Sequence, residues 1–127
     1  MDGKILIIED GVTIAGLLKI YLNSLGFSID SAYDGEEGQK KCMDVSDYSL
    51  VLLDIRLPKI SGLSILKMIR GELNCPDVPV ILMSGDPFDT DELKSLGADA
   101  FLRKPFELSE LGKCINRLLE RDKSRVE

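Results

Sequence analysis

The stretch VLLDIRLPKISG (residues 51–62) decides the fold, because in it a short apolar run leads directly into an acid. Residues 50–53 are all apolar, which is the pattern of a strand that is buried on both faces of a parallel sheet. Asp54 follows this run at once, and the turn-favouring residues Pro58 and Gly62 come shortly after it. The pattern predicts a buried strand that delivers one carboxylate to a loop.

The rest of the chain alternates between short apolar runs and helical patterns. We predict strands at residues 4–8, 27–32, 49–54, 78–85 and 98–104. We predict helices at residues 14–25, 34–45, 61–70, 89–96 and 108–119. Because strands and helices alternate five times, the chain is predicted to form one α/β domain, with a parallel sheet, helices on both faces and right-handed crossovers.

Two of the helices carry clear signals at their ends. The first has apolar residues at helical spacing, followed by Gly26 at the position of a C-terminal cap: Ile14, Leu17, Leu18, Tyr21, Leu22 and Leu25. The second begins at Asp34, and Glu37 three residues later completes the pattern of a capping box. These signals predict an amphipathic first helix and a capped second helix.

Composition excludes several classes of function. The 127 residues carry a net charge of −6, which disfavours direct binding of this chain to nucleic acid. No apolar run is long enough to span a bilayer, and the N-terminus has no signal-peptide pattern, so we expect a cytoplasmic protein without membrane contact. Three scattered cysteines are expected to be reduced thiols. The absence of histidine excludes Ser-His and Cys-His hydrolases, imidazole-bound zinc and a phosphohistidine on this chain.

Polar residues follow four of the five predicted strands. They are expected to meet at the carboxyl edge of the sheet, where open parallel sheets bind ligands: Glu9, Asp10, Asp54, Ser84 and Lys104. Three carboxylates placed together repel one another, which favours either raised pKa values or a bound cation. Since all the ligands are oxygens, Mg²⁺ fits better than zinc. A carboxylate beside a divalent ion, a lysine and a hydroxyl can accept a phosphoryl group.

Each of these residues also has a simpler interpretation. Asp10 could cap the first helix, and Lys104 could be a solvated surface lysine. Ser84, which precedes Gly85, could serve only the turn. These alternatives are open for any one residue, but five such residues at one edge of a sheet favour a site.

The order and spacing of four motifs resemble those of the receiver domains of two-component response regulators over the whole chain. IIED (residues 7–10) is similar to the acid pair after the first strand, and DIRLPKISG (54–62) is similar to the phosphoacceptor loop. MSG (83–85) and GADAFLRKPF (97–106) are similar to the segments with the small hydroxyl residue, the switch aromatic and the lysine-proline pair. The resemblance implies one flavodoxin-like (βα)5 receiver domain over residues 1–127, with strand order 2-1-3-4-5.

The resemblance also implies roles for individual residues. Asp54 is expected to be the phosphoacceptor, with Ser84 and Lys104 on the phosphoryl oxygens. Mg²⁺ is expected to be held by Asp10, Asp54, the backbone carbonyl of Arg56 and, through a water, Glu9. Phe101 is the expected switch aromatic, with plain core packing as its alternative, and a cis peptide is expected before Pro105.

The resemblance implies a signalling domain that catalyses only its own phosphorylation and dephosphorylation. The phosphodonor is expected to be a histidine kinase or a histidine phosphotransfer protein. The surface of the fourth helix, fifth strand and fifth helix is expected to switch for output, and it is also a candidate homodimer interface. Arg56 and Asp86 each follow a site residue by two positions, so they are expected to flank the same opening and either pair across it or stay solvated.

Two other classes of protein fit less well. Phosphatases of the haloacid-dehalogenase type need a second acid two residues after the nucleophile, and Arg56 occupies that position. A flavodoxin-like flavin carrier needs a phosphate-binding loop after the first strand, whereas EDGVTI (residues 9–14) would repel phosphate. A degenerate receiver that only binds partners is disfavoured by the intact set of five polar residues.

Overall fold

The computed structural model describes residues 3–126, with side chains described up to residue 120. Strands and α-helices alternate along the chain as β1 (Lys4–Ile8), α1 (Val12–Ser24), β2 (Ser28–Ala32), α2 (Gly35–Cys42), β3 (Leu50–Asp54), α3 (Gly62–Arg70), β4 (Val80–Ser84), α4 (Thr90–Ser95), β5 (Ala100–Arg103) and α5 (Leu108–Val126). A short 3₁₀ helix at Val45–Asp47 lies between α2 and β3. The predicted order of elements is confirmed.

The five strands form one parallel sheet in the order β2-β1-β3-β4-β5. β2 lies on one side of β1, and the three later strands lie on the other side. The strand order therefore reverses between β1 and β3, and this is the point at which open α/β sheets form a ligand-binding crevice. The predicted fold class and strand order are confirmed.

The core lies on both faces of the sheet, because successive residues of a strand point to opposite sides. Leu6 and Ile8 of β1 pack on the face that α2, α3 and α4 cover. Ile5 and Ile7 pack on the face that α1 and α5 cover. All four are fully buried, and burial of each such side chain contributes about 1.5–3 kcal/mol. Burial of both faces of β1 therefore stabilises the end of the strand and fixes the position of the residues that follow it.

Helix α1 is amphipathic as predicted, but its buried stripe is narrower than the sequence pattern indicates. Leu18 and Leu22 are buried against the sheet together with the small residue Ala15. Leu17, by contrast, is 56% exposed, and Ile14 is also exposed. The buried face of the helix is therefore narrow, and the apolar residues on its flank lie at the surface.

Helix α2 begins with the predicted cap and ends earlier than predicted. The Asp34 carboxylate accepts a hydrogen bond from the Glu37 N–H at 2.8 Å. The helix ends at Cys42 rather than Val45, because Met43 and Asp44 donate to carbonyls only three residues earlier, which tightens the last turn. Among the described residues, no helix has the length and hydropathy needed to span a bilayer.

Candidate phosphoacceptor site

Three carboxylates meet at the carboxyl edge of the sheet, on both sides of the switch point. Glu9 and Asp10 follow β1, and Asp54 is the last residue of the neighbouring strand β3. One oxygen atom from each of the three lies within 4.8 Å of the others. Glu9 and Asp54 are buried, at 2% and 4% exposure, whereas Asp10 is exposed. The sheet thus brings the three predicted acids together, with one of them open to solvent.

Backbone groups hold the two buried carboxylates in place. The Gly11 N–H donates to Glu9 Oε2 at 2.9 Å, and the Arg56 N–H donates to Asp54 Oδ1 at 3.0 Å. Within the described part of the chain, no side chain caps α1, whose N-cap residue is Gly11. Capping by Asp10, the simpler interpretation, is therefore not what the structure shows.

Lys104 joins the acid cluster from the loop after β5. Its Nζ donates to Glu9 Oε1, and it donates to Asp54 Oδ2 at 3.0 Å. The side chain is only 21% exposed, so Lys104 is not a solvated surface lysine. The Lys104–Pro105 peptide bond is cis, as expected from the resemblance. One ammonium group thus contacts both buried carboxylates.

The electrostatics of this cluster are unbalanced. Burial raises the pKa of Glu9, and the nearby Asp54 carboxylate adds to the rise against the hydrogen bonds from Lys104 and Gly11. Burial alone would lower the pKa of Lys104, but its hydrogen bonds to Glu9 and Asp54 outweigh this effect and raise it. Three acids face one lysine, and the oxygen-only donor set fits a hard divalent cation such as Mg²⁺.

Ser84 lies at the end of β4, and its hydroxyl forms hydrogen bonds within its own loop. The hydroxyl accepts a hydrogen bond from the Asp86 N–H at 3.1 Å and donates to the Asp86 carbonyl at 3.3 Å. The residue is 2% exposed. In this structure Ser84 therefore has the turn role that its sequence context allowed.

Phe101 is half-buried on β5 and packs against an aromatic residue that the sequence analysis did not identify. Its ring centroid lies 5.9 Å from that of Phe88, with the two rings inclined by 40°. Phe88 belongs to the loop between β4 and α4, four residues after Ser84. The sequence signal for this contact was the presence of an aromatic residue, Phe88, in the loop that follows β4. The Phe88–Phe101 pair thus connects the loop that carries Ser84 with β5.

Arg56 and Asp86 pair across the opening of the site. Arg56 Nε lies 2.8 Å from Asp86 Oδ2, and the two side chains are 81% and 52% exposed. The two residues belong to the loops after β3 and β4, which are neighbouring strands. Of the two alternatives that the sequence left open, the structure shows the paired one.

An apolar groove borders the site beside Lys104, and sequence reasoning missed it. Ile14 and Leu17, interpreted from the sequence as part of the helical stripe, line the groove together with residues of the β5–α5 loop: Pro105, Phe106 and Leu108. Its volume is about 370 Å³. The groove thus extends from the carboxyl edge of the sheet along the exposed flank of α1.

The strand order and the acid cluster at the switch point define a doubly wound α/β domain whose site fits a divalent cation. The chain belongs to the response regulator receiver domain family, whose model matches residues 5–116. The family and the fold class predicted from the sequence are confirmed.

Relatives of known sequence and structure agree with this assignment. The chain is 39% identical over 118 residues to the uncharacterized transcriptional regulatory protein YcbL of Bacillus subtilis, covering 91% of this chain and 50% of that protein. It is 36% identical over 118 residues to the response regulator ArlR of Staphylococcus haemolyticus, covering 93% of this chain and 53% of that protein. The chain thus spans about half the length of these curated relatives.

Solved structures show the same architecture. The response regulator TrrA of Thermotoga maritima, in complex with Mg²⁺ and BeF, superposes with a TM-score of 0.79 at 36% identity, covering 91% of this chain and 97% of that one. A receiver domain protein of Clostridium thermocellum gives a TM-score of 0.84 at 31% identity, covering 94% and 96%.

Proposed function

We propose that this receiver domain accepts a phosphoryl group on Asp54 in a Mg²⁺-dependent reaction. The observation that carries the proposal is the position of Asp54, buried within the acid cluster and 3.0 Å from the Lys104 ammonium group. The donor is a phosphohistidine on a partner, either a histidine kinase or a histidine phosphotransfer protein, as membership of the response regulator receiver domain family implies. The cytoplasmic location expected from the sequence stays a prediction.

The residues around Asp54 supply most of what the transfer needs. Asp10, Asp54 and the Arg56 backbone carbonyl would hold Mg²⁺ directly and Glu9 through a water, and the bound ion would neutralise charge on the phosphoryl oxygens. An Asp54 carboxylate oxygen attacks the phosphorus, the O–P bond forms as the N–P bond breaks, and the imidazole leaves with the electron pair and takes up a proton. Lys104 then hydrogen-bonds a phosphoryl oxygen.

Phosphorylation is proposed to reach the surface through Ser84 and Phe101. A phosphoryl group adds about −1.5 to −2 charge and strong acceptor oxygens, which favour rotation of the Ser84 hydroxyl away from Asp86. This rotation frees space for the Phe101 ring and changes its packing against Phe88. The surface of α4, β5 and α5 is then the output surface and the candidate homodimer interface.

Beryllofluoride with Mg²⁺ tests this switch, since it can stand in for the phosphoryl group. We expect amide shift changes across residues 89–119. Changes confined to the loops around Asp54 would contradict the switch without affecting the proposed phosphorylation.

The groove along α1 is proposed to seat the phosphodonor protein. It borders Lys104, it is apolar, and a phosphohistidine must approach Asp54 from outside the chain. Leu17→Asn should therefore slow transfer from a phosphorylated histidine kinase, while labelling by a small phosphodonor stays at the parent rate. Equal loss with both donors would contradict docking at the groove.

The central experiment is phosphorylation of the purified protein by a small phosphodonor with Mg²⁺, followed by intact mass and by the chemistry of the label. We expect one phosphoryl group per chain, stable in acid and labile in base, and none in Asp54→Asn. Asp44→Asn, an exposed aspartate outside the site, is the matched control and should be labelled like the parent. Stoichiometric label in Asp54→Asn would overturn the assignment, and an unlabelled parent would indicate a receiver that only binds partners.

A further inference from the structure

The loop between β3 and α3 contains a strained residue. Lys59 has a φ of +73°, in the left-handed region that residues with a side chain rarely adopt. The Ile60 N–H donates to the Pro58 carbonyl at 2.8 Å and closes a tight turn around Lys59. Such strain costs about 1–3 kcal/mol and persists only where the surrounding structure imposes it. The same loop carries Arg56, whose N–H holds the Asp54 carboxylate.

The start of α2 imposes this conformation. The Gly35 N–H donates to the Pro58 carbonyl at 3.0 Å, so this carbonyl accepts from two N–H groups. Asp34 Oδ2 lies 3.4 Å from Lys59 Nζ, while Asp34 Oδ1 caps α2. The helix and the strained turn therefore share both a backbone hydrogen bond and an ion pair.

The contact between α2 and the loop is close enough to require glycine. A Cβ at Gly35 would lie 1.9 Å from the Ile60 carbonyl oxygen, and this oxygen belongs to the backbone and cannot rotate away. At the other end of the loop, a Cβ at Gly62 would lie 2.1 Å from the Asp54 carbonyl oxygen. The loop is thus held between α2 and the end of β3, with no room for a side chain at either contact.

We infer that Asp34 and Gly35 are positioning residues of the phosphoacceptor site. They hold the β3–α3 loop in its strained turn, and the turn fixes the backbone of Arg56 beside Asp54. Neither residue belongs to the acid cluster, and both act through the loop. The inference rests on the proposed function, because it assigns the loop a role in Mg²⁺ binding and phosphorylation.

The test compares two substitutions of a helical glycine by alanine. In Gly35→Ala the new methyl group displaces Ile60 and shifts the loop, so Mg²⁺ affinity should fall about tenfold or more, as it does when the supporting residues of metal sites are removed. Gly16→Ala is the matched control, because a Cβ at Gly16 meets nothing within 4 Å. Its Mg²⁺ affinity should equal that of the parent. Calorimetric titration with Mg²⁺ measures both, and circular dichroism establishes that each variant is folded.

A double-mutant cycle keeps the inference testable if Gly35→Ala does not fold. Asp34→Asn retains a capping side chain but loses the ion pair, and Lys59→Gln loses the same pair from the other side. The cycle cancels the general effect of each charge on cation binding, and we expect a remaining coupling of up to about fivefold in Mg²⁺ affinity.

The outcomes separate this inference from the proposed function. Parent affinity in folded Gly35→Ala, or zero coupling in the cycle where that variant does not fold, would overturn the positioning role. A parent protein that binds Mg²⁺ and takes no label would overturn the proposed phosphorylation instead, while the comparison of affinities would still decide the inference.

Discussion

The two ends of the sheet carry two charged clusters that differ in how completely they are satisfied. At the carboxyl end, Glu9, Asp10 and Asp54 lie together, Lys104 contacts Glu9 and Asp54, and the pKa of Glu9 is raised by burial. At the amino end, Arg70 pairs with Asp99 at 2.8 Å. The first cluster has excess negative charge, whereas the second is a balanced pair.

The amino-end cluster uses almost every hydrogen-bonding group that it has. The Arg70 guanidinium donates to Asp99 and to three backbone carbonyls, those of Gly97, Cys75 and Val78. Asp99 also accepts from the Val80 N–H at 2.8 Å. One side chain thus ties the end of α3 to the starts of β4 and β5.

The difference shows how a cluster that stabilises a fold differs from one that binds a ligand. The amino-end groups find their partners within the chain, so removal of one leaves others unsatisfied. The carboxyl-end acids repel one another, so removal of the exposed Asp10 relieves repulsion and affects what binds there, while Glu9 and Asp54 keep their hydrogen bonds to Lys104. A substitution at the amino end should therefore lower stability without affecting phosphorylation. A substitution of Asp10 should instead lower Mg²⁺ affinity without lowering stability.

The largest effect on stability is expected from Arg70→Met. The change removes the guanidinium that donates to Asp99 and to three carbonyls, and Asp99 keeps the hydrogen bond from the Val80 N–H. The side chains of Arg70 and Asp99 are 15% and 26% exposed. We expect a loss of about 2–3 kcal/mol in the free energy of unfolding, measured in urea. Phosphorylation of the folded protein should be unchanged.

The control for this change is Arg103→Met, which replaces an exposed arginine of β5. It should alter stability by less than about 0.5 kcal/mol. A similar loss in both variants would show that the Arg70 network has no special role in holding the amino end together.

A smaller effect, on Mg²⁺ affinity rather than on stability, is expected from Asp10→Asn. The change removes one charged oxygen ligand, so Mg²⁺ affinity should fall about tenfold, which corresponds to about 1.4 kcal/mol. Stability without Mg²⁺ should stay the same or rise, because a repelling charge is lost. Calorimetry and urea unfolding measure the two quantities, and unchanged Mg²⁺ affinity would remove Asp10 from the site.

The carboxyl-end cluster could be predicted from the sequence, because buried strands have a clear apolar pattern and parallel strands end at one edge. Asp54 and Lys104 each come at the end of an apolar run that predicts a strand, so the sequence predicts that both lie at the carboxyl edge of the sheet. The Arg70–Asp99 pair could not be predicted, since the two residues lie 29 positions apart and the motif that contains Asp99 gives no sign of its partner. For Ser84 the sequence left both a turn role and a site role open, and the structure shows the hydrogen bonds of the turn role.

The smallest effect is expected at the Arg56–Asp86 pair, which lies at the carboxyl end but resembles the amino-end pair in being balanced. Loss of the phosphoryl group needs a water in line with its bond to Asp54. The pair joins the two loops at the opening, so we predict that it obstructs this water and slows self-dephosphorylation. Because both side chains are exposed, the pair contributes at most about 1 kcal/mol, and its loss should speed decay up to about fivefold.

A double-mutant cycle with Arg56→Ala and Asp86→Ala distinguishes an obstructing pair from two independent side chains. If the two act together, each single variant loses its phosphoryl group faster and the double variant decays little faster than either. Lys4→Ala removes a cation from the surface pair with Asp30, on β1 and β2, and should leave decay unchanged. Parent decay rates in both single variants would mean that the pair, although formed, leaves the path of the water open. At the carboxyl end, the acids and Lys104 would then be the charged groups that determine how the site behaves, without a contribution from the Arg56–Asp86 pair.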